Sequence, residues 1–286
     1  MREVKNFDDY ELLDASCGER LERWGDIILI RPDPQIIWRT ERTHPLWRDA
    51  HARYIRSSSG GGHWERYKRV PEVWSIAFDE LTFNLKPMGF KHTGIFPEQA
   101  VNWRLMSDII ARADRPVKVL NLFGYTGAAT LACAAAGASV THVDASKGMV
   151  LWAKDNAAAS GLSDKPIRWL VDDCIKFVKR EIRRGNRYDG IVMDPPSYGR
   201  GPNGEVWRLE EQLYDLLNLC DRLLSDDALF LVLNSYTTGL SPSVMKYLLG
   251  TVLEHRGGTV DCDEIGLPVT SRGMVLPCGN TAVWMK

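Results

Sequence analysis

Residues 117–127 read Val-Lys-Val-Leu-Asn-Leu-Phe-Gly-Tyr-Thr-Gly. The apolar residues of 117–123 make a strand that runs straight into Gly124 and Gly127. Glycines there let the backbone turn sharply and come close to a ligand. An alanine-rich run follows, and the pattern predicts a helix over 126–136 whose small side chains let it lie close against a sheet. A second strand over 139–143 ends in Asp144, about 20 residues past Gly124. That is the spacing at which a carboxylate meets ribose hydroxyls in nucleotide-type sites.

Strand and helix alternate regularly from there onward. Strands are expected over 167–171, 188–193 and 228–233, with helices over 146–160, 174–184, 206–224 and 241–255. Two final strands, 259–266 and 281–285, close the series. Repeated β-α units mean a mainly parallel sheet covered on both faces. Right-handed crossovers place the strand C-terminal ends on one edge, where ligands bind. Phe123/Gly124, Asp144, Asp173, Asp194 and Asn234 all fall at such ends. Each alone is an ordinary loop residue; their coincidence on one rim marks a site. Asp173 can accept from an adenine amino group, and Asp144 can take ribose hydroxyls.

The fourth strand runs into Asp194-Pro195-Pro196-Ser197-Tyr198. The two prolines lack amide donors and hold the backbone extended, so their carbonyls can face a substrate. A carboxylate beside a fixed carbonyl is an acceptor pair for the amino group of a base, and Tyr198 can stack on that base. The bland alternative is a strand stopped by proline before an ordinary loop.

These residues resemble the class I S-adenosylmethionine-dependent methyltransferases, most closely the branch that modifies large-subunit ribosomal RNA at cytosine C5 or guanine N7. The resemblance runs from about residue 78 to the C-terminus. It rests on His92-Thr93-Gly94-Ile95-Phe96-Pro97-Glu98-Gln99, Asn121-Leu122-Phe123-Gly124-Tyr125-Thr126-Gly127, Val143-Asp144-Ala145-Ser146, Asp172-Asp173-Cys174 and Asp194–Tyr198. It implies a doubly wound, seven-stranded Rossmann-like α/β sheet and S-adenosyl-L-methionine as cofactor. By resemblance, Phe123, Gly124, Tyr125 and Thr126 line the cofactor's amino-acid end. Asp144, with Ser146 in its motif, takes the ribose and Asp173 the adenine. Thr93 and Gln99 close over the ligand, and Asp194 sits beside the methyl group. Asp194, Pro195 and Tyr198 are then the expected catalytic residues. Cytosine-C5 enzymes carry a nucleophilic cysteine after the fifth strand, where this chain reads Leu233-Asn234-Ser235-Tyr236-Thr237. The departure points to direct in-line transfer to a base nitrogen.

Residues 1–100 follow another pattern and are expected to form a small β-rich region before a methyltransferase domain over 101–286. Strands are expected over 26–31 and 35–38, around Pro32-Asp33-Pro34, and a hairpin over 73–78 and 81–85. Ser57-Ser58-Ser59-Gly60-Gly61-Gly62 reads as a flexible loop. Residues 38–69 hold eight Lys/Arg (Arg39, Arg42, Arg48, Arg53, Arg56, Arg66, Lys68, Arg69) against Glu41, Asp49 and Glu65. Trp38, Trp47, Tyr54, Trp64 and Tyr67 interleave with them. Arginine grips phosphate and flat rings stack on unpaired bases, as single-stranded or loop RNA requires. A solvated surface anchored by tryptophans has the same composition. The region departs from the RNA-binding module that many relatives carry at this end.

The 286 residues suit one large or two modest domains. Apolar content of 44% and charged content of 26% are ordinary for a globular protein. Net charge is −1, so RNA binding needs a local patch rather than a polycationic chain. The six cysteines stand singly, without a CxxC pair, which indicates neither zinc nor a disulfide framework and fits reduced thiols in a cytoplasmic protein. Residues 1–6 lack the apolar core of a signal peptide, and no apolar run is long enough to span a membrane. Three rival readings remain. One is a nicotinamide oxidoreductase, whose fingerprint needs a third glycine. The second is a methyltransferase acting on protein or a small molecule. The third is an RNA-binding module with a vestigial site.

Overall fold

A computed structural model describes residues 1–57 and 61–286. The chain divides into two compact units, Met1–Arg2 with Gln99–Ile265 and Cys278–Lys286, and Glu3–Glu98 with Gly266–Pro277.

The first unit holds the alternating elements. Helix α1 (Ala100–Arg112) precedes β1 (Lys118–Leu122), α2 (Ala128–Ala135), β2 (Ser139–Asp144), α3 (Lys147–Ala159), β3 (Ile167–Val171), α4 (Cys174–Arg183) and β4 (Gly190–Met193). After these come α5 (Leu209–Asp221), β5 (Phe230–Ser235), α6 (Pro242–Leu253), β6 (Thr259–Val269) and β7 (Met274–Met285). The seven strands lie in the order β3-β2-β1-β4-β5-β7-β6. Strands β1 to β5 pair in parallel, and β7 is antiparallel to β5. The strands are nearly continuous apolar runs because both faces are covered; every residue of β4 and β5 is buried. Helices α1, α2 and α3 pack on one another, as do α4, α5 and α6. Phe177, Leu213, Leu217, Met245 and Leu249 of the second group share one core with Leu120, Leu122, Ile191 and Leu231 of the sheet.

Register decides where the strands stop. Leu122 lies opposite Val143 on one side and Met193 on the other, and Met193 lies opposite Leu233. The next residues, Phe123, Asp144, Asp194 and Asn234, therefore stand side by side at one edge, about 4.8 Å apart per strand.

The expected helix start that moves furthest is that of α5. The helix predicted from residue 206 starts at Leu209, because Tyr198–Arg200 and Val206–Arg208 form an antiparallel hairpin first.

The second unit contains an antiparallel meander of Tyr10–Ser16, Glu19–Trp24 and Ile27–Pro32. Ala52–Arg56 joins it in parallel, and Gly62–Arg66 pairs with Ala52–Arg56. The hairpin Trp74–Phe78 and Leu81–Leu85 forms as its sequence pattern predicts, around Asp79 at φ 50°. No strand forms over residues 35–38. The Ile36 and Trp38 carbonyls instead accept from the Gly18 and Cys17 amides (2.9 Å each), clasping the neighbouring turn. The expected loop over 57–62 falls mostly on residues 58–60, which lie outside the described residues. No helix among the described residues is long and apolar enough to cross a membrane.

Candidate active site

The turn after β1 is built on unusual backbone. Phe123 (φ 56°), Tyr125 (φ 49°) and Gly127 (φ 89°) occupy the left-handed region. Only the glycine does so without strain, and such strain collects at functional sites. Gly124 is required for space: a Cβ there would stand 2.4 Å from the His142 ring. A Cβ on Gly127 would meet that of Ala153 at 2.8 Å. Gly124 N–H donates to the Val143 carbonyl (3.0 Å), tying the turn to β2.

Beneath the turn lies a buried polar chain that residue patterns alone did not single out. Asn121 donates to Thr130 Oγ1 (2.8 Å), which shares a 2.9 Å bond with His142 Nδ1. Burial holds the His142 imidazole down at about 3, so the ring is neutral. The signal that could have found this chain was polar Asn121 and His142 inside otherwise apolar strands.

Asp144 gathers the turn. Its two oxygens accept from the amides of Tyr125 (2.9 Å) and Ser146 (2.8 Å). Burial pushes its carboxyl above the ordinary aspartate range, and the two amide bonds offset part of that shift. Ser146 caps α3, its Oγ accepting from Met149 N–H at 3.4 Å. Asp173 caps α4 in the same way, through Lys176 N–H at 2.8 Å. Thr126 is buried, and its carbonyl accepts from Asn156 (2.9 Å).

Asp194 is half-buried and Pro195 buried, whereas Tyr198 is 53% exposed and opens the hairpin. The Pro196 carbonyl accepts from Trp207 Nε1–H (2.6 Å). The Trp207 ring lies 5.1 Å from that of Phe123, so the hairpin and the glycine turn meet through two aromatics. Ser197 and Thr237 share a 2.6 Å hydroxyl bond, which joins this segment to the loop after β5.

Gln99 is drawn into a second network. It donates to the Tyr236 hydroxyl (2.8 Å) and accepts from Asn102 (2.8 Å), which also donates to Asn234 (2.9 Å). Thr281 donates to Asn102 Oδ1 (3.3 Å). Thr93 belongs to the other unit, where it is fully buried and its Oγ1 meets no partner among the described residues.

Four of the six thiols, Cys133, Cys174, Cys220 and Cys278, are buried. Cys220 sits fully buried on α5 among leucines, and burial drives its thiol far up. Burial also raises Cys133 to about 12 and lifts Cys174 well above the usual range. Cys278 is buried as well. Among the described residues, no group of three or more His, Cys, Asp or Glu could hold a metal ion.

A parallel sheet with a reversed last strand, a strained glycine turn and an acid closing the second strand define a class I, Rossmann-like methyltransferase fold. A family model for S-adenosylmethionine-dependent methyltransferases matches residues 45–240. The chain belongs to that family, and its cofactor is S-adenosylmethionine. A SAM-dependent methyltransferase from Agrobacterium tumefaciens is similar over 99% of this chain and 92% of its own, at 40% identity and TM-score 0.95. The structure of SMU.776 complexed with SAH shares the fold at TM-score 0.76 and 19% identity, over 98% of this chain and 76% of its own. Among curated proteins, the ribosomal RNA large subunit methyltransferase K/L of Shewanella baltica (strain OS155 / ATCC BAA-1091) is 34% identical over 145 residues, half of this chain. That match spans 20% of the length of the relative.

Proposed function

We propose that this chain transfers a methyl group from S-adenosylmethionine to a base nitrogen of RNA, ribosomal RNA foremost, by direct in-line attack without a cysteine nucleophile. The observation that carries the reading is the Asp194–Tyr198 segment. Its acid stands in register with Asp144 at the strand ends, and its tyrosine is exposed. The name of the Shewanella relative supports ribosomal RNA as the acceptor class, and that acceptor carries a cytoplasmic location with it.

The donor set fits the cofactor. A carboxylate offers roughly four lone pairs. Amides occupy two positions on Asp144, which leaves capacity for the two hydroxyls of a ribose. Asp173 spends one oxygen on its helix cap and keeps the other for an adenine amino group. Phe123, Gly124, Tyr125 and Thr126 form the turn that holds the amino-acid end, and Ser146 fixes Asp144 from behind. Thr93 and Gln99 are assigned to cofactor enclosure. Gln99 acts there through its bond to Tyr236.

When bound, S-adenosylmethionine supplies an electrophilic methyl on a sulfonium that departs as a neutral thioether. The protein's task is then positioning, which is worth several kcal/mol of barrier. Asp194 and the Pro195 carbonyl accept from the base's N–H groups and orient the nitrogen, while Tyr198 holds the ring. The buried, strongly raised thiols support transfer without a covalent enzyme intermediate. Mass spectrometry of nucleosides from ribosomal RNA treated with the protein and cofactor tests this. A methylated base is expected. Label appearing only in protein or a small molecule sinks the RNA reading, and a C5-methylated pyrimidine sinks the nitrogen acceptor.

A further inference from the structure

The basic-aromatic stretch of residues 38–69 resolves into two parts. Its indoles are anchors: Trp38 donates to the Ala15 carbonyl (2.7 Å), Trp47 to Asp14 (2.8 Å) and Trp64 to the Met88 carbonyl (2.8 Å). Three of its arginines, Arg42, Arg53 and Arg56, instead line an open cavity. Cys17, Glu19, Arg42, Arg53, Tyr54 and Arg56 stand around a space of about 590 Å³, within the range of ligand pockets. Three guanidiniums face one carboxylate there, a surplus of two positive charges. Arg53 (2.7 and 3.0 Å) and Arg42 (2.7 Å) share that single Glu19. Arg42 Nε is buried and meets no acceptor among the described residues.

The cavity backs onto more positive charge. Its wall residue Pro32 accepts from Lys91 Nζ at 3.2 Å. Burial and the nearby Arg20, Arg31 and Arg56 hold that amine down at about 8, with Asp33 offsetting them only in part. A site so short of negative charge is stabilised by an incoming anion. Guanidinium forks match phosphate oxygens two at a time.

We infer that this cavity in the N-terminal unit is a phosphate-binding site that takes the phosphodiester backbone of single-stranded RNA. The inference rests on the RNA reading above and adds where the backbone is held. Eight basic residues against three acidic ones over 38–69 suit a ligand with repeated phosphates better than a lone anion.

The test uses the full chain and a fluorescein-labelled single-stranded oligouridylate, read by anisotropy. Arg56→Gln is expected to weaken binding several-fold and to flatten log affinity against log salt by about 0.7, one phosphate contact. Lys165→Gln removes the same charge from an exposed position in the other unit and is expected to change neither. Cys17, exposed and on the cavity wall, reports locally: bound RNA slows its alkylation by iodoacetamide several-fold, followed on its peptide by mass spectrometry. Equal losses in the two variants, or Cys17 alkylation indifferent to RNA, overturn the site and leave the RNA reading standing. A chain that methylates ribosomal RNA but does not hold the oligouridylate has the same consequence. A chain that neither binds nor methylates RNA overturns both.

Discussion

Among the described residues, Asp144 at the strand ends of the C-terminal unit accepts only from backbone amides. Glu22 in the N-terminal unit, fully buried, is gripped by the Arg31 guanidinium (2.5 and 2.6 Å) and by the Tyr10 hydroxyl (2.8 Å). Burial pushes both carboxyls up. At Asp144 it prevails, and the group lies above its ordinary range. At Glu22 the charges of Arg31 and Arg20, with hydrogen bonds from Arg31 and Tyr10, overcome it and hold the group below. A carboxylate saturated by a cation is structural. One held by amides alone keeps lone pairs for a ligand, and the fold bears the cost of burying it.

The sharpest break in that comparison is Glu22→Gln, which leaves Arg31 buried without its counter-charge. Loss of a buried partner costs about 3–5 kcal/mol, so the urea midpoint should fall steeply. A loss under about 1 kcal/mol would mean that Glu22 is no anchor.

Asp144→Ala should weaken S-adenosylmethionine by about 1.5–3 kcal/mol for each ribose hydroxyl deprived of its acceptor, measured by calorimetry. Acid separates the two residues further. Because the folded Glu22 value is depressed, its stabilisation is complete above the unfolded value, about 4.3, and disappears as pH falls through the lower folded value. Asp144 is raised, so its buried charge is a penalty that fades as pH falls through the folded value. Its capacity to accept ribose hydroxyls fades with it. Cofactor affinity should therefore weaken at a pH above the ordinary aspartate range of about 3.9, before the N-terminal unit loses stability. Affinity and unfolding that fall together would erase the distinction.

The smallest effect is expected at Asp173, which combines both roles. Asp173→Ser keeps a capping oxygen and should change stability by a few tenths of a kcal/mol, whereas Asp173→Ala should cost about 1 kcal/mol. Both should weaken the cofactor alike if the second oxygen meets the adenine. If only the alanine variant does so, Asp173 is a cap and nothing more.

The strand-end rim was legible because short-range signals write it. Glycines at 124 and 127 and acids one residue past apolar runs are visible without knowing what lies across the sheet. The meander was legible only in its third strand, expected over 26–31 and found over Ile27–Pro32: Glu19, Arg20, Glu22 and Arg23 break the apolar alternation of its second strand. The partners that permit their burial, Arg31 and Asp33, lie on or just beyond the next strand. The Asn102 network was hidden for a similar reason, since its members stand 132 and 179 residues apart. Tyr198 could be read as exposed from its loop, but the hairpin that presents it depends on Trp207 reaching back to the Pro196 carbonyl.

Residues 266–277 carry one more implication. They complete the N-terminal unit: Val269 pairs with Leu12, and Arg272 reaches Asp14, 258 residues away, at 2.8 Å. During synthesis, the first hundred residues emerge long before the segment that finishes them. Closing so long a span from an open chain costs roughly 5 kcal/mol in loop entropy. The N-terminal unit therefore cannot be completed until residues 266–277 have been made.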